Sequence, residues 1–367
     1  MVKSITALQA TLVLIMSIGL MNHVIVLPSV LGAAGRDAWV SLLLVGVLYM
    51  LWLPMVYWII KKTGQQEILG WLEKNSHPAA KWLVKYILII LILLNTFVTL
   101  YSTFAWVNST YMIQTPKFVL FIPFIVMCFF AAESGMKTIA IAAGLVLPLV
   151  VALGFLIMFA NMQYKDYTML LPIFEKGISP MLDGVVILSG GLAEIFFFVV
   201  IQQHVRTPIK FKRMFFLSLF ILGINIGPII GALTEFGPVQ AANINNPAYA
   251  QWRLLTIGKY LNRLDFFSVY QWLSGAFIRV SLSFFMIGQL FNLKSRIKHT
   301  VLLSALSIAM IIALWLPIDN PVFESFTNQY YFKISVIGIL FVTFFINIII
   351  FFRGRVNKDE TQIDHSR

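Results

Sequence analysis

The chain has 367 residues, is 59% hydrophobic and only 11% charged, with a mean hydropathy of +0.87. A soluble globular domain carries about 25% charged residues, so that class is excluded and a polytopic membrane protein is expected. The formal net charge of +12 does not indicate nucleic acid, because the basic residues follow a membrane-orientation pattern, and the single cysteine, Cys128, excludes an intrachain disulfide.

A membrane span needs about 20 apolar residues. Ten are read in chain order, over 6–32, 38–60, 83–112, 118–132, 138–160, 179–203, 213–234, 265–291, 299–317 and 332–352. Lys3 followed by an apolar run has the outline of a signal peptide, but Leu8 to Leu31 exceeds the usual ~7–15-residue apolar region, so a span is expected. This first run contains Met16-Ser17-Ile18-Gly19-Leu20-Met21-Asn22-His23-Val24-Ile25-Val26-Leu27-Pro28. Its glycine, amide, imidazole and proline stand where an uninterrupted membrane helix favours leucine. A free backbone polar group in hydrocarbon costs several kcal/mol, so a break there is expected only where it lines a protein interior or cavity.

Between the second and third spans, Ile68, Leu69 and Leu72 share one side of a segment over 64–80, with Glu67, Glu73 and Lys74 elsewhere. That pattern predicts a short interfacial helix. The third span carries Asn95, Thr99, Ser102, Thr103 and Trp106 on one face, suited either to a ligand or to a neighbouring helix. Glu133 and Asp183 lie near span ends, where interfacial positions are expected. The fifth span has no charged residue, which weighs against a proton relay through it.

The sixth span repeats the opening anomaly at Ser189-Gly190-Gly191, followed by Glu194. Adjacent glycines favour an unwound segment. Interruptions in spans one and six, five spans apart, match two inverted five-helix repeats with a ligand site at their interface. In the seventh span Gly223, Gly227 and Gly231 recur every four residues, which reads as close helix packing. The outer loop 237–262 is long enough to form a lid or a passive connector.

The eighth span carries Arg279 near its middle, with Gln271, Gly275 and Ser283 on the same stripe. An arginine there costs at least ~2.5–3.5 kcal/mol and demands a partner. Two compatible roles stand open: an internal ion pair with Glu194, or a grip on a polar ligand group. His23 is read either as a structural hydrogen-bonder or as a proton relay. The other histidines, His77, His204, His299 and His365, are scattered; with no nucleophile–base pair, metal-ligand cluster or nucleotide loop, no enzyme activity and no cofactor are expected.

Basic residues fall mainly on alternate segments. Lys3; Lys61, Lys62, Lys74, Lys81 and Lys85; Lys137; Arg206, Lys210, Lys212 and Arg213; Lys294, Arg296 and Lys298; and Arg353, Arg355, Lys358 and Arg367 share one side. Only Arg36, Lys117, Lys165, Lys176, Arg253, Lys259, Arg263 and Lys333 fall on the other. The positive-inside rule then puts both termini in the cytoplasm. The polar tail, 354–367, is expected to be disordered.

Leu27-Pro28 closes the first interruption, and Gly35-Arg36-Asp37-Ala38-Trp39 opens the second span. Thr115-Pro116 follows the third, Arg263, Asp265 and Trp272 lead into the eighth, and Leu314-Trp315-Leu316-Pro317 ends the ninth. In order and spacing the chain resembles the amino acid–polyamine–organocation superfamily. More narrowly, it resembles the B subunits of GerA-type germinant receptors of endospore-forming bacteria. The resemblance implies an all-α bundle of ten transmembrane helices in a five-plus-five inverted repeat (about 6–160 and 179–352), with helices 1 and 6 broken. It implies a germinant sensor in the spore inner membrane, embedded in membrane lipid, with a membrane A subunit and a lipoprotein C subunit as partners and no nucleic acid. A small germinant is expected between spans one, three, six and eight, at Met21, Asn22, His23, Thr99, Thr103, Gly190, Gly191, Glu194, Arg279 and Ser283. Many members have a Gly-x-Gly break where this chain has Met21-Asn22-His23, and some have a small hydroxyl residue near Arg279. The pocket for alanine is therefore not expected intact; an amino acid, nucleoside or sugar remains open. An autonomous amino-acid transporter and a degenerate scaffold are the competing functions.

Overall fold

The computed structural model describes residues 4–255, 264–293 and 295–364, with side chains as far as residue 353. Among these residues every extended element is helical. Helix α1 (Ala7–Leu20) starts at a capping box: the Thr6 hydroxyl accepts from the Gln9 amide at 3.2 Å, and the Thr6 amide donates to Gln9 Oε1 at 2.8 Å. A π-helical segment, Met21–Val26, joins it to α2 (Leu27–Ala34). Pro28 supplies the cause. It has no N–H to donate, and its ring crowds the carbonyl four residues back, at Val24 inside the wide turn. The Leu27 amide accordingly reaches five residues back, to the Asn22 carbonyl. The expected break in the first span is thus a widened turn, with the backbone helical throughout.

Gly35, at φ +54°, turns the chain through the 3-10 segment Gly35–Asp37 into α3 (Ala38–Thr63). Gly64 ends α3 in the left-handed region, where a Cβ is strained. The predicted interfacial helix is α4 (Ile68–Asn75), which buries Ile68, Leu69, Trp71 and Leu72. There follow α5 (Pro78–Thr110), α6 (Lys117–Glu133) and α7 (Met136–Ala160). Next come α8 (Ser179–Leu192), the 3-10 segment Ala193–Phe196 and α9 (Phe197–Ile201). The remainder comprises α10 (Phe211–Phe236), α11 (Pro238–Asn243), α12 (Pro247–Leu254), α13 (Phe267–Phe291) and α14 (Arg296–Trp315). Last are α15 (Asn320–Phe326), a second π segment, Thr327–Tyr331, and α16 (Phe332–Asp364).

Eight helical stretches among the described residues are long and apolar enough to cross a membrane. One of them, Ala7–Thr63, is 57 residues long, and at 1.5 Å per residue it far exceeds the ~30 Å hydrocarbon layer. It turns at Gly35. Helix α6, with 17 residues, is just shorter than these stretches. The interior helices are separable from the peripheral ones by burial: 83% of the most apolar window of Ser179–His204 is buried, against 17% for Met136–Tyr164. A peripheral helix in lipid gains nothing from burial, because lipid is as apolar as leucine.

Three sequence expectations are corrected. Ser189-Gly190-Gly191 is not unwound: α8 runs through it, and the departure from α geometry comes after it, at Ala193–Phe196. The glycines serve close approach instead. A Cβ at Gly190 would lie 2.9 Å from the Phe332 carbonyl oxygen, and one at Gly191 would lie 2.6 Å from Val26 Cγ2. In α10 the packing reading holds only for Gly231, which abuts Gln251, because a Cβ at Gly223 or Gly227 would meet nothing within 4 Å. The tail is not irregular as far as Asp364: α16 continues helically to that residue. In the outer loop, α11 and α12 cover part of the expected lid; Gly258, Lys259 and Arg263 lie outside the described residues, as do Lys294 and His365.

Where α1 begins, the chain is fastened to the end of the sixth predicted span. The Ser4 amide donates to the His204 carbonyl at 2.9 Å, and the Arg206 amide donates to the Ile5 carbonyl at 2.8 Å. Gln65 adds a clasp, donating to the Val205 carbonyl and accepting from the Ile209 amide. These bonds hold the start of α1 against the end of the helix that carries Glu194.

Candidate functional site

Arg279, on α13, is 1% exposed, and Glu194, just after α8, is 4% exposed. An isolated charge so buried would cost several kcal/mol, and both ends are answered. Arg279 Nη1 donates to Glu194 Oε2 and Nη2 donates to Oε1, each at 2.5 Å, the fork geometry that suits a carboxylate. Arg279 Nε donates to the Thr99 hydroxyl on α5 at 2.8 Å. Nη1 also donates to the Ser17 carbonyl on α1 at 2.8 Å. The Tyr331 phenol lies beside the guanidinium from the second π segment. Asn95 Nδ2 donates to Glu194 Oε1 at 2.6 Å. One arginine thereby ties together five elements.

The local structure explains why these groups converge. Ser17 sits one turn before the π segment, and around it Thr11 on α1, Asn22 in the π segment and Ser29 on α2 each bond the carbonyl four residues back. On α5, Thr96, Thr99 and Thr103 do the same, so their hydroxyl hydrogens are spent on backbone and their oxygens are left as acceptors. Thr99 offers its oxygen to Arg279 and Thr103 offers its oxygen to Trp272 Nε1 at 3.2 Å. Gly275 brings α13 onto α1, since a Cβ there would lie 2.9 Å from Leu20 Cβ.

Of the ten residues expected at the site, Thr99 and Glu194 are each bonded directly to a third, Arg279. Gly191 faces Asn22: a Cβ on it would lie 2.8 Å from Asn22 Oδ1. Asn22 Nδ2 donates to the Ile18 carbonyl at 2.8 Å, while its buried Oδ1 has no hydrogen-bond partner among the described residues. Asn95 Oδ1 is a second such acceptor. Met21 is fully buried in the same wide turn, and Gly190 supports Phe332, the neighbour of Tyr331. His23 is half-buried with Nδ1 3.2 Å from the Gly19 carbonyl oxygen. No hydrogen bond joins His23, Thr103 or Ser283 to the ion pair among the described residues, and Ser283 is buried one turn beyond Arg279. Ser17 and Tyr331 were not legible as site residues: the first contributes its backbone carbonyl, and the second lies just before the tenth predicted span. All of Arg279's donor groups are directed at this network, whereas two amide oxygens remain as acceptors.

An aromatic layer lies further along the same helices. Trp106 and Trp272 stack with centroids 3.9 Å apart, and Tyr111 and Tyr249 meet Trp106 edge-on. Tyr249 belongs to α12, so the outer loop rests on this layer, and its hydroxyl donates to Asp265 Oδ2 at 3.1 Å.

Comparison with known proteins places these features in a family. The family described as "Spore germination protein" matches residues 4–322. The chain is 38% identical to spore germination protein XB of Bacillus anthracis over 332 residues, covering 90% of this chain and 93% of that one. It is 23% identical to spore germination protein KB of Bacillus subtilis over 302 residues, 77% of this chain and 76% of that one. It is also 24% identical to spore germination protein GerQB of Bacillus cereus over 270 residues, 69% of each.

Proposed function

The chain belongs to the spore germination protein family of multi-pass membrane proteins, and from that premise we propose that it is the germinant-sensing membrane subunit of a spore germinant receptor. In this reading it lies in the spore inner membrane with both termini on the core side, and signals to an A subunit and a lipoprotein C subunit. Ten crossings follow if Ala7–Thr63 is divided at Gly35 and α6 is counted as a short span. The inverted five-plus-five repeat then relates the helix carrying Met21–Val26 to the helix carrying Ala193–Phe196, each of which departs from α geometry inside its predicted span.

The observation that carries the proposal is the Arg279–Glu194 pair, because it unites groups from the first, third, sixth and eighth predicted spans, with Tyr331 beside it just before the tenth. A nutrient bearing a carboxylate or a pair of hydroxyls competes with Glu194 for the guanidinium. Its N–H or O–H donors find Asn22 Oδ1 and Asn95 Oδ1, which amino acids, nucleosides and sugars can all satisfy. Exchange of one partner of Arg279 for another repacks five elements at once. A ligand shifts such an equilibrium only by its differential affinity for the two packings.

Thermal shift of the purified full chain with amino acids, nucleosides and sugars tests the site. A ligand that binds the folded protein stabilises it by RT ln(1+[L]/Kd). The stabilisation is expected to fall sharply in Arg279→Lys, which loses the two-pronged geometry but keeps the charge. A nutrient that stabilises both proteins equally removes Arg279 from the pocket. Uptake of labelled nutrient by proteoliposomes containing this chain alone would instead favour the transporter.

A further inference from the structure

A cavity lies on the side of the bundle where α2 ends and α8 begins. It encloses about 300 Å³ between α2, the first turns of α8 and the π segment Thr327–Tyr331. Asp183 and Lys333 both line it, together with Asn328, Gln329, Ser29 and Ile187. Asp183 precedes Glu194 by about three helical turns, so this cavity is well separated along α8 from the buried ion pair.

The chemistry of the lining is specific. Asp183 and Lys333 are both exposed, and no ion pair or hydrogen bond engages either side chain among the described residues. Two opposite charges thus face one cavity without neutralising each other. Asn328 and Gln329 bring both donors and acceptors, and Ser29, whose hydroxyl donates to the Ile25 carbonyl at 3.0 Å, keeps acceptor capacity. Ile187 gives an apolar surface. A neutral nucleoside or sugar leaves both charges unanswered. A molecule with a carboxylate and an ammonium on adjacent atoms answers both. The volume admits an amino acid with its side chain.

The backbone beneath the cavity is unusual in the same place. Asn328 and Gln329 belong to a π turn, a widened geometry that concentrates at functional sites. The same turn ends in Tyr331 beside Arg279, and the next residue, Phe332, packs its backbone on Gly190. A force on Asn328 or Gln329 therefore reaches the guanidinium within one turn.

We propose that this cavity is a second, peripheral binding site for a zwitterionic α-amino acid, with Lys333 taking the carboxylate and Asp183 the ammonium. It does not depend on what binds at the buried ion pair. The test is protection of a thiol. Cys128, the chain's one cysteine, is buried, so a cysteine introduced by Gln329→Cys is selectively accessible to a maleimide in the purified full chain. L-alanine and L-valine are expected to slow labelling several-fold and saturably. L-alaninamide, propionate and inosine, which lack one charge or both, are expected to have little effect at the same concentration. Protection should vanish in Asp183→Asn and in Lys333→Gln, and persist in Arg279→Lys. No slowing by any common zwitterionic amino acid overturns the site, as does equal slowing by inosine. Protection lost in Arg279→Lys but kept in Lys333→Gln places the amino acid at the ion pair, overturning the peripheral site while leaving the proposed sensing function intact. If Gln329→Cys does not fold, acetylation of Lys333 in the unsubstituted chain gives the same readout: zwitterion protection supports the site, and equal acetylation with and without zwitterion overturns it.

Discussion

Arg279 and Glu194 face each other through two parallel hydrogen bonds of 2.5 Å, with Asn95 bracing the carboxylate and Thr99 bracing the guanidinium. Neither charge reaches solvent, and each is the other's only charged partner among the described residues. Removing one member leaves a buried charge unpaired, which costs about 3–5 kcal/mol, whereas removing both leaves no such charge. Glu194→Gln and Arg279→Gln are each expected to lower stability by about that amount in denaturant titrations, and the double variant is expected to recover much of the loss. Strictly additive losses would mean that the pair is not coupled.

Two glycine substitutions should behave oppositely. A Cβ at Gly190 would lie 2.9–3.0 Å from the oxygen, Cα and Cβ of Phe332, part of which is unyielding backbone. Gly190→Ala should therefore destabilise by about 1–3 kcal/mol and loosen Tyr331 next door. Gly223→Ala meets nothing within 4 Å and should be neutral, or more stable by up to about 1 kcal/mol from helix propensity. Thermal denaturation of the two variants side by side checks this, and an equal loss in both would contradict the close contact at Gly190.

Trp272 links the aromatic layer to α5 through its bond to Thr103 and its stack on Trp106. Thr103→Val removes both the bond from Trp272 and the hydroxyl's bond to the Thr99 carbonyl, and the Trp272 part should cost about 0.5–1.5 kcal/mol. In a Trp272→Phe background the same change should cost less by that part, because the indole donor is already absent while the bond to the Thr99 carbonyl is lost in both. A double-mutant cycle read by thermal unfolding measures the difference, and full additivity would show that the bond contributes nothing.

Glu67 provides a pH test outside the membrane. Burial raises its carboxyl above the ordinary value of 4.5, with nearby Lys81 opposing the shift. The folded state thus binds the proton more tightly than the unfolded state does. The stabilisation from the protonated group is fully present below pH 4.5 and is lost as pH rises through the raised folded value. Glu67→Gln stays neutral, so it should match the parent at low pH and become the more stable protein as pH rises. A stability gap that closes with rising pH would contradict this sign.

The spans were legible because hydrocarbon imposes a long apolar run: the predicted 83–112, 138–160 and 213–234 lie within or closely overlap α5, α7 and α10. Arg279 and Glu194 were legible for the same reason, since a mid-span charge must be answered. The breaks were located but their form was not. Pro28 widens a turn and Gly191 admits Asn22, and neither consequence appears until the neighbouring helix is in place. Ser17 acts mainly through its carbonyl, at 2.8 Å from Arg279 Nη1 against 3.4 Å for its hydroxyl, and a carbonyl is a group that every residue possesses. Gly223 and Gly227 show the converse, a packing pattern with no partner within 4 Å.

The central claim is that this chain senses a nutrient for germination. The direct measurement is the germination of spores lacking only this chain, challenged with single amino acids, nucleosides and sugars and with their mixtures. The predicted result is loss of response to one nutrient, or to mixtures that contain it, with other responses intact and restored by the unsubstituted chain but not by Arg279→Lys. Unchanged germination under every single nutrient and mixture would contradict it.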